Sequence, residues 1–103
     1  MIFQEIKKCL ECCQFEKIDK VYLKHLPQEV DNIRRAYAFG EGIPSDFIEL
    51  RDFVYKRVAK DIKYQNTGII NDHFCYGAIF GIIRLFDMTI NDDLIWEEIK
   101  ENV

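Results

Sequence analysis

The sequence is poor in the residues that interrupt secondary structure. Its 103 residues include only two prolines and five glycines, and no stretch is of low complexity or rich in Pro, Gly and Ser. Disordered chains and flexible linkers are enriched in such residues. The composition therefore excludes a largely disordered protein. A chain of this length is the usual size of one domain, so we expect a single domain over residues 1–103.

Sequence motifs of enzymes and nucleotide-binding proteins are also absent. The chain contains no G-x-x-x-x-G-K-[ST], G-x-G-x-x-G, H-E-x-x-H or G-x-S-x-G,. The adjacent Asp72 and His73 suggest an oriented general base, but no nucleophile is identifiable nearby, so we favour a capping and packing role. Acid pairs such as Asp46 and Glu49 suit the first turns of a helix. We expect no enzymatic activity and no cofactor.

The four cysteines do not have the spacing of a disulfide framework, because Cys9, Cys12 and Cys13 fall within five residues,. Cys9-x-x-Cys12 has the spacing of half a zinc site, but no matching pair follows. The remaining candidate ligands are the single residues Cys75, His25 and His73. We favour small buried side chains in a reducing compartment, with a Cys/His metal-binding regulator as the less favoured alternative. Because the first residues also lack a signal-peptide pattern, we predict a cytoplasmic protein.

Apolar residues recur mostly at steps of three and four, which predicts helices rather than strands. The predicted helices cover residues 2–14, 16–26, a segment that begins at Pro27, 45–63, 72–87 and 91–101. Gly40 and Pro44 mark the clearest break, because glycine accepts the positive φ that ends a helix and proline disfavours helix at Ile43. The predicted buried rows include Cys13 in the first helix, Ile18 and Val21 in the second, Val30, Ile33 and Tyr37 in the third, and Phe47, Leu50, Val54, Val58 and Ile62 in the fourth.

Residues 73–86, HFCYGAIFGIIRLF, carry a single charge, on Arg84. This segment has 14 residues, whereas a transmembrane helix needs about 20 apolar residues. We therefore predict no membrane association. The fold class predicted is all-α, a single-domain bundle of about five to six helices with a central apolar helix near residues 72–87. Gly77 and Gly81 share one face, where we expect a neighbouring helix to cross closely. We expect Arg84 to reach the surface or to pair with Asp87.

The net charge of −4 is concentrated at the end of the chain. Residues 1–40 carry seven bases and six acids, residues 41–70 five of each, and residues 71–103 two bases and seven acids. A negative side argues against nucleic-acid binding and suits capture of a basic protein, although acidic helices are often merely solvated. The predicted contact residues are Asp46, Glu49, Asp52, Asp87, Asp92, Asp93, Trp96 and Glu97.

Two segments, IELRDFVYKRVAKDI and HFCYGAIFGIIRLFD, together resemble a helix pair of small bacterial immunity proteins, including those paired with contact-dependent inhibition and other polymorphic toxins. The resemblance covers residues 48–87 and concerns size, charge and helix pattern. It implies a cytoplasmic inhibitor that covers the active site of a basic, nuclease-type toxin domain. The alternative is a homo-oligomeric helical module with the apolar helix or Trp96 at its interface, and we therefore expect a monomer or a weak homodimer.

Overall fold

The computed structural model describes residues 2–64 and 73–103, and these residues contain helices, turns and loops but no strand. The helices are α1 (Ile2–Glu11), α2 (Phe15–Lys17), α3 (Leu26–Ala38), α4 (Ser45–Tyr64), α5 (His73–Thr89) and α6 (Leu94–Glu101), and a π-helical turn (Ile18–Tyr22) lies between α2 and α3. The predicted all-α class is confirmed. No helix of the described ranges is both long and apolar enough to cross a bilayer.

Three helices end in the same backbone motif, in which one residue adopts a left-handed conformation. That residue is Gly40 after α3, Cys13 after α1 and Asn91 after α5, with φ values of 90°, 57° and 59°. In each case the next N–H donates to the carbonyl five residues earlier, as in the 2.8 Å bond from Gln14 to Cys9. This is the Schellman arrangement, which satisfies the last carbonyls of a helix. Only the glycine was predicted to end its helix.

The chain between α1 and α3 differs from the predicted continuous helix over residues 16–26. One α-helical turn is followed by a π-helical turn, in which the N–H of Leu23 donates to the carbonyl of Ile18 over 2.8 Å. The wider turn changes the rotational register of the side chains. Ile18 is fully buried, whereas Val21, predicted to be inward, is exposed. Cys13, also predicted to be inward, is exposed because it is the left-handed residue that ends α1.

Helix α4 contacts α1, α5 and α6, and α3 packs on α5. The predicted residues Phe47, Leu50 and Val54 of α4 are buried. The last part of the predicted row turns away from the core, since Val58 is half-buried and Ile62 is exposed. In α3, Val30 and Ile33 are also buried in the core, but Tyr37 is exposed. The reason is that α3 contacts the bundle mainly along α5.

Aromatic rings join the helices at two places in the core. Phe47 of α4 lies edge-on to Phe3 of α1 at 5.3 Å and to Phe86 of α5 at 5.0 Å between ring centroids. Trp96 of α6 meets Tyr55 of α4 at 5.1 Å and Phe80 of α5 at 4.8 Å. Edge-to-face pairs contribute about 0.5–1.5 kcal/mol each beyond the area that they bury. These contacts fix α1 and α6 on α4 and α5.

Helix α5 buries one side and leaves the other open. Ile79, Ile83 and Phe86 are buried, while Gly77 and Gly81 lie on the exposed side. Apart from the backbone of α5 itself, a Cβ atom added at either glycine would meet no atom of the described residues within 4 Å. The predicted close helix crossing at these glycines is therefore wrong for the described part of the chain. Helix α5 therefore also carries apolar side chains on its exposed side, where they do not pack against α3 or α4.

We expect Gly81→Ala to stabilise the fold by about 1 kcal/mol, because alanine has the higher helix propensity and the site has room for its methyl group,. Urea unfolding of α-helical circular dichroism at low protein concentration measures this change. Gly40→Ala is the matched control, since the φ of 90° at Gly40 makes the same substitution destabilising. A loss of stability at Gly81 would contradict the open environment described for this residue.

Candidate partner-binding surface and its buried support

The eight predicted contact residues lie on the first half of α4, at the end of α5, in the turn between α5 and α6, and on α6. Asp87 is fully buried and Trp96 is 7% exposed. The partly exposed members are Asp46 and Asp92, and the exposed members are Glu49, Asp52, Asp93 and Glu97. A buried side chain cannot contact a partner, so the prediction is corrected for Asp87 and Trp96. Both belong to the interior that supports the surface.

Asp87 joins the end of α5 to the middle of α4. The Arg51 Nη1 atom donates to Asp87 Oδ1 over 2.9 Å, and the Tyr55 hydroxyl donates to Oδ2. Arg51 and Tyr55 are four residues apart and therefore lie on one face of α4. Both carboxylate oxygens are satisfied, as a buried charge requires. Arg51 also lies 3.9 Å from Asp92 Oδ2, which brings the turn after α5 into the same network.

Arg84 does not pair with Asp87, contrary to one of its two predicted roles. Its Nη1 lies 3.6 Å from Asp93 Oδ1, and Asp93 is the residue that precedes α6. Both oxygens of Asp87 are occupied by Arg51 and Tyr55 of α4, and the half-buried Arg84 lies nearer to Asp93. The buried Arg51–Asp87 pair and the more exposed Arg84–Asp93 pair thus both lie where α4, α5 and α6 meet.

The buried network shifts the pKa of two of its side chains, Asp87 and Tyr55. Burial raises the pKa of Asp87, and the hydrogen bond from Tyr55 and the charge of Arg51 oppose that rise,. Burial, followed by the hydrogen bond to Asp87, raises the pKa of Tyr55 above its usual value of 10.0. The Tyr55 hydroxyl therefore stays protonated and acts as a donor. Each of these groups already has its hydrogen-bond partner inside the protein. The network is therefore suited to stabilise the packing of α4 against α5.

The outer side of α6 combines one apolar side chain with three carboxylates. Leu94 is 79% exposed, and Glu97, Glu98 and Glu101 follow it at three, four and seven residues, which places all four on one side of the helix,. We call these four residues the acidic face of α6. Glu97 pairs with Lys100 over 3.1 Å, but an exposed pair of this kind contributes little.

An open cleft of about 530 Å³ lies between α4 and α6, beside the acidic face. Ile95, Ile99 and Val103 form its apolar part. Its charged and polar lining consists of Asp52, Lys56, Lys60, Glu98 and Asn102. Asp52 and Lys56 form an ion pair at 3.0 Å, so the α4 side of the cleft is mixed in charge. The structure therefore confines the predicted negative side mainly to α6.

Leu94, Glu98 and Glu101 were missing from the predicted contact set. The i, i+3, i+4, i+7 spacing could have placed them on one side together with Glu97. It could not show whether Leu94 lies inside with the apolar Ile95 and Trp96 or outside with the glutamates. The packing of Trp96 against Tyr55 and Phe80 decides that orientation.

The candidate metal ligands are dispersed. Cys9 is buried and Cys12 is exposed, so the two thiols of the C-x-x-C segment do not face one ligand. Within residues 2–64 and 73–103, no three His, Cys, Asp or Glu side chains are placed to hold a metal ion. The predicted cap at residue 72 and the side chain of His73 lie outside the described residues.

We expect Asp87→Asn to destabilise the protein by about 2 kcal/mol at neutral pH, because the amide has one acceptor oxygen where the carboxylate has two, so that either Arg51 or Tyr55 loses its buried acceptor,. Chemical denaturation followed by Trp96 fluorescence measures the change. Asp93→Asn is the matched control, since its ion pair with Arg84 is more exposed, and we expect a change below about 1 kcal/mol. Equal effects of the two variants would contradict the structural role of Asp87.

The wild type and Asp87→Asn together give a pH prediction. Folding raises the pKa of Asp87 above 3.8, so the folded state binds a proton more tightly than the unfolded state. The stability of the wild type relative to Asp87→Asn should therefore increase as the pH falls through the raised pKa toward 3.8. It should reach a plateau below that value. A relative stability that decreases over this window would contradict the raised pKa.

Comparison with known proteins does not show a family for this chain. No family model matches it, and no curated protein or solved structure matches it. The resemblance of residues 48–87 to immunity proteins thus stays a prediction, and the function of the chain has to be proposed from its own surface.

Proposed function

We propose that this chain is a non-enzymatic protein-binding domain that captures a basic partner through the acidic face of α6. The observation that supports this proposal best is the exposed Leu94 beside Glu97, Glu98 and Glu101. An apolar anchor within a polar rim is the usual anatomy of a protein interface, and a few central residues supply most of the binding energy. The neighbouring cleft, with Ile95 and Ile99 in its lining, extends the apolar contact.

The charge of the surface argues for a basic partner. Residues 71–103 carry seven acids and two bases, and Asp87 is the acid that the fold removes fully from the surface among those described. Opposite charge raises the rate of encounter and selects against acidic competitors. Lys and Arg side chains of the partner would meet the glutamates, and an apolar pocket or side chain would meet Leu94.

The most concrete form of the proposal is a toxin-immunity protein. Helices α4 and α5 are the two segments whose sequences resemble immunity proteins, and the acidic face supplies the charge that a basic nuclease domain would match. Such a protein would act in the cytoplasm as a stoichiometric inhibitor, by covering the active site of the toxin in the cell that produces both. No cofactor is required for this activity.

A second candidate function is self-association of a helical module. The open apolar side of α5 favours it, since Phe74, Leu85 and Met88 are exposed there. This activity uses a different surface from the acidic face of α6, and the two functions are compatible.

Isothermal titration of the protein with the toxin domain encoded by the neighbouring gene tests the proposal. We expect 1:1 binding and, for Glu97→Lys with Glu98→Lys, a loss of affinity of roughly tenfold or more, mostly through slower association. Leu94→Ala should weaken binding mainly through faster dissociation. The affinity of the wild type should fall as salt is added.

Glu5→Lys is the control variant, because Glu5 is an exposed acid on α1 and its reversal makes the same kind of charge change elsewhere. Absence of heat at high concentration of both proteins would reject the toxin domain as partner. Binding that is weakened as much per charge by Glu5→Lys as by the α6 variants would reject the acidic face as the contact surface.

A further inference from the structure

The open side of α5 carries five residues without a charge: Phe74, Gly77, Gly81, Leu85 and Met88. We call them the apolar face of α5. Phe74 is 71% exposed, Leu85 67% and Met88 54%. At a rise of 1.5 Å per residue the face is about 21 Å long. The outer side of a helix in a water-soluble bundle is normally polar, so the composition of this face needs a cause outside the core.

The two glycines of this face also need an explanation outside the core. Glycine in the interior of a helix is unfavourable relative to alanine. At Gly77 and Gly81, no atom of residues 2–64 or 73–103 outside the backbone of α5 lies within 4 Å of the position that a Cβ atom would occupy. Nothing in the described chain therefore explains the absence of side chains there. A flat strip between large apolar residues is the shape that lets a second helix approach closely.

The apolar face of α5 is self-complementary. If two copies of the helix lie antiparallel about a two-fold axis at Gly81, residues whose numbers are symmetric about 81 oppose each other. Leu85 of one copy then faces Gly77 of the other, so a large side chain enters the space over a glycine. Phe74 faces Met88, and thioether–aromatic contacts are favourable. A two-fold interface requires this kind of matching between one patch and itself.

We propose that a second copy of this chain docks on the apolar face of α5 to form an antiparallel homodimer centred on Gly81. A basic or acidic partner would find no counter-charge among the five residues, whereas an identical uncharged face fits it. The proposal rests on the self-association given above as the second candidate function and specifies its surface and its axis. It does not depend on the acidic face of α6, because it involves another helix surface and no charged group.

The size of the face indicates a weak dimer. A large apolar side chain presents on the order of 150–250 Å², so three such side chains at the observed exposures offer about 300–450 Å² per protomer. With the glycine strip and its flanks the dimer would bury about 1,000 Å² in total, the low end for a specific interface. We therefore expect a dissociation constant of roughly 10–100 µM, because interfaces of that size are commonly transient.

Sedimentation velocity from about 1 to 500 µM, with a reductant present, tests the proposal. The wild type should shift from monomer to dimer over this range, since the expected affinity lies within it. Leu85→Glu should remain monomeric, because it places a charge opposite Gly77 of the other copy. Ile62→Glu is the matched control, as Ile62 is similarly exposed, at 61%, but lies on α4. It should dimerise as the wild type does.

Further variants test the position of the two-fold axis. Gly81→Leu should abolish the dimer while α-helical circular dichroism is retained, because the bulky side chain has room in the monomer and collides with its own copy at the axis. In a Cys12→Ser, Cys13→Ser background, Gly81→Cys should crosslink to itself under mild oxidation. Gly77→Cys should instead crosslink to Leu85→Cys in a mixture of the two proteins.

The results that would overturn the proposal are distinct. If the wild type is monomeric at every concentration, a second copy does not bind the apolar face of α5, and only a partner of another sequence can cover it. A dimer that survives both Leu85→Glu and Gly81→Leu forms through another surface. Self-crosslinking of Gly77→Cys without that of Gly81→Cys places the axis elsewhere. None of these outcomes bears on binding by the acidic face of α6.

Discussion

The carboxylate of Asp87 is the constraint on which the arrangement of α4, α5 and α6 depends. It is fully buried between α4 and α5, where Arg51 and Tyr55 donate to its two oxygens. A buried charge is tolerated only with such partners in good geometry. The rotation of both helices about their axes is therefore fixed by more than apolar packing, which by itself tolerates small changes of register. The core aromatics at Phe47 and Trp96 fit on either side of that fixed contact.

This constraint also determines the surface. With Asp87 turned toward α4, the turn that follows brings Asp92 within 3.9 Å of Arg51 and Asp93 within 3.6 Å of Arg84. Acids that were predicted to bind a partner are thus engaged within the protein. The carboxylates that remain outward lie chiefly on α6, because Trp96 faces inward and rotates the glutamates to the opposite side. Fewer carboxylates are available to a partner than the sequence suggested, and those on α6 lie around the exposed Leu94.

The protein presents two surfaces of different chemistry. The acidic face of α6 joins an apolar anchor to negative charge, which suits a basic partner and a salt-dependent association. The apolar face of α5 has no charge and matches itself about Gly81, which suits a second copy. These properties explain features that the core does not need, namely the exposed Leu94 on α6 and the exposed Phe74 and Leu85 on α5. A bundle built only for stability would place polar residues at such positions.

The sequence by itself determined the helical class, most helix positions and much of the core. Its three- and four-residue spacing, the break around Gly40 and the first-turn Pro27 act locally, so they can be recognised without knowing which helices touch. It did not determine the left-handed residues Cys13 and Asn91, since these residue types occupy many other conformations. The pairing of Arg51 with Asp87, the outward turn of Glu98 beside Leu94, and the open environment of Gly81 were decided by the tertiary structure alone. Each depends on how α4, α5 and α6 rotate against one another, and that rotation is set by contacts between residues far apart in the chain.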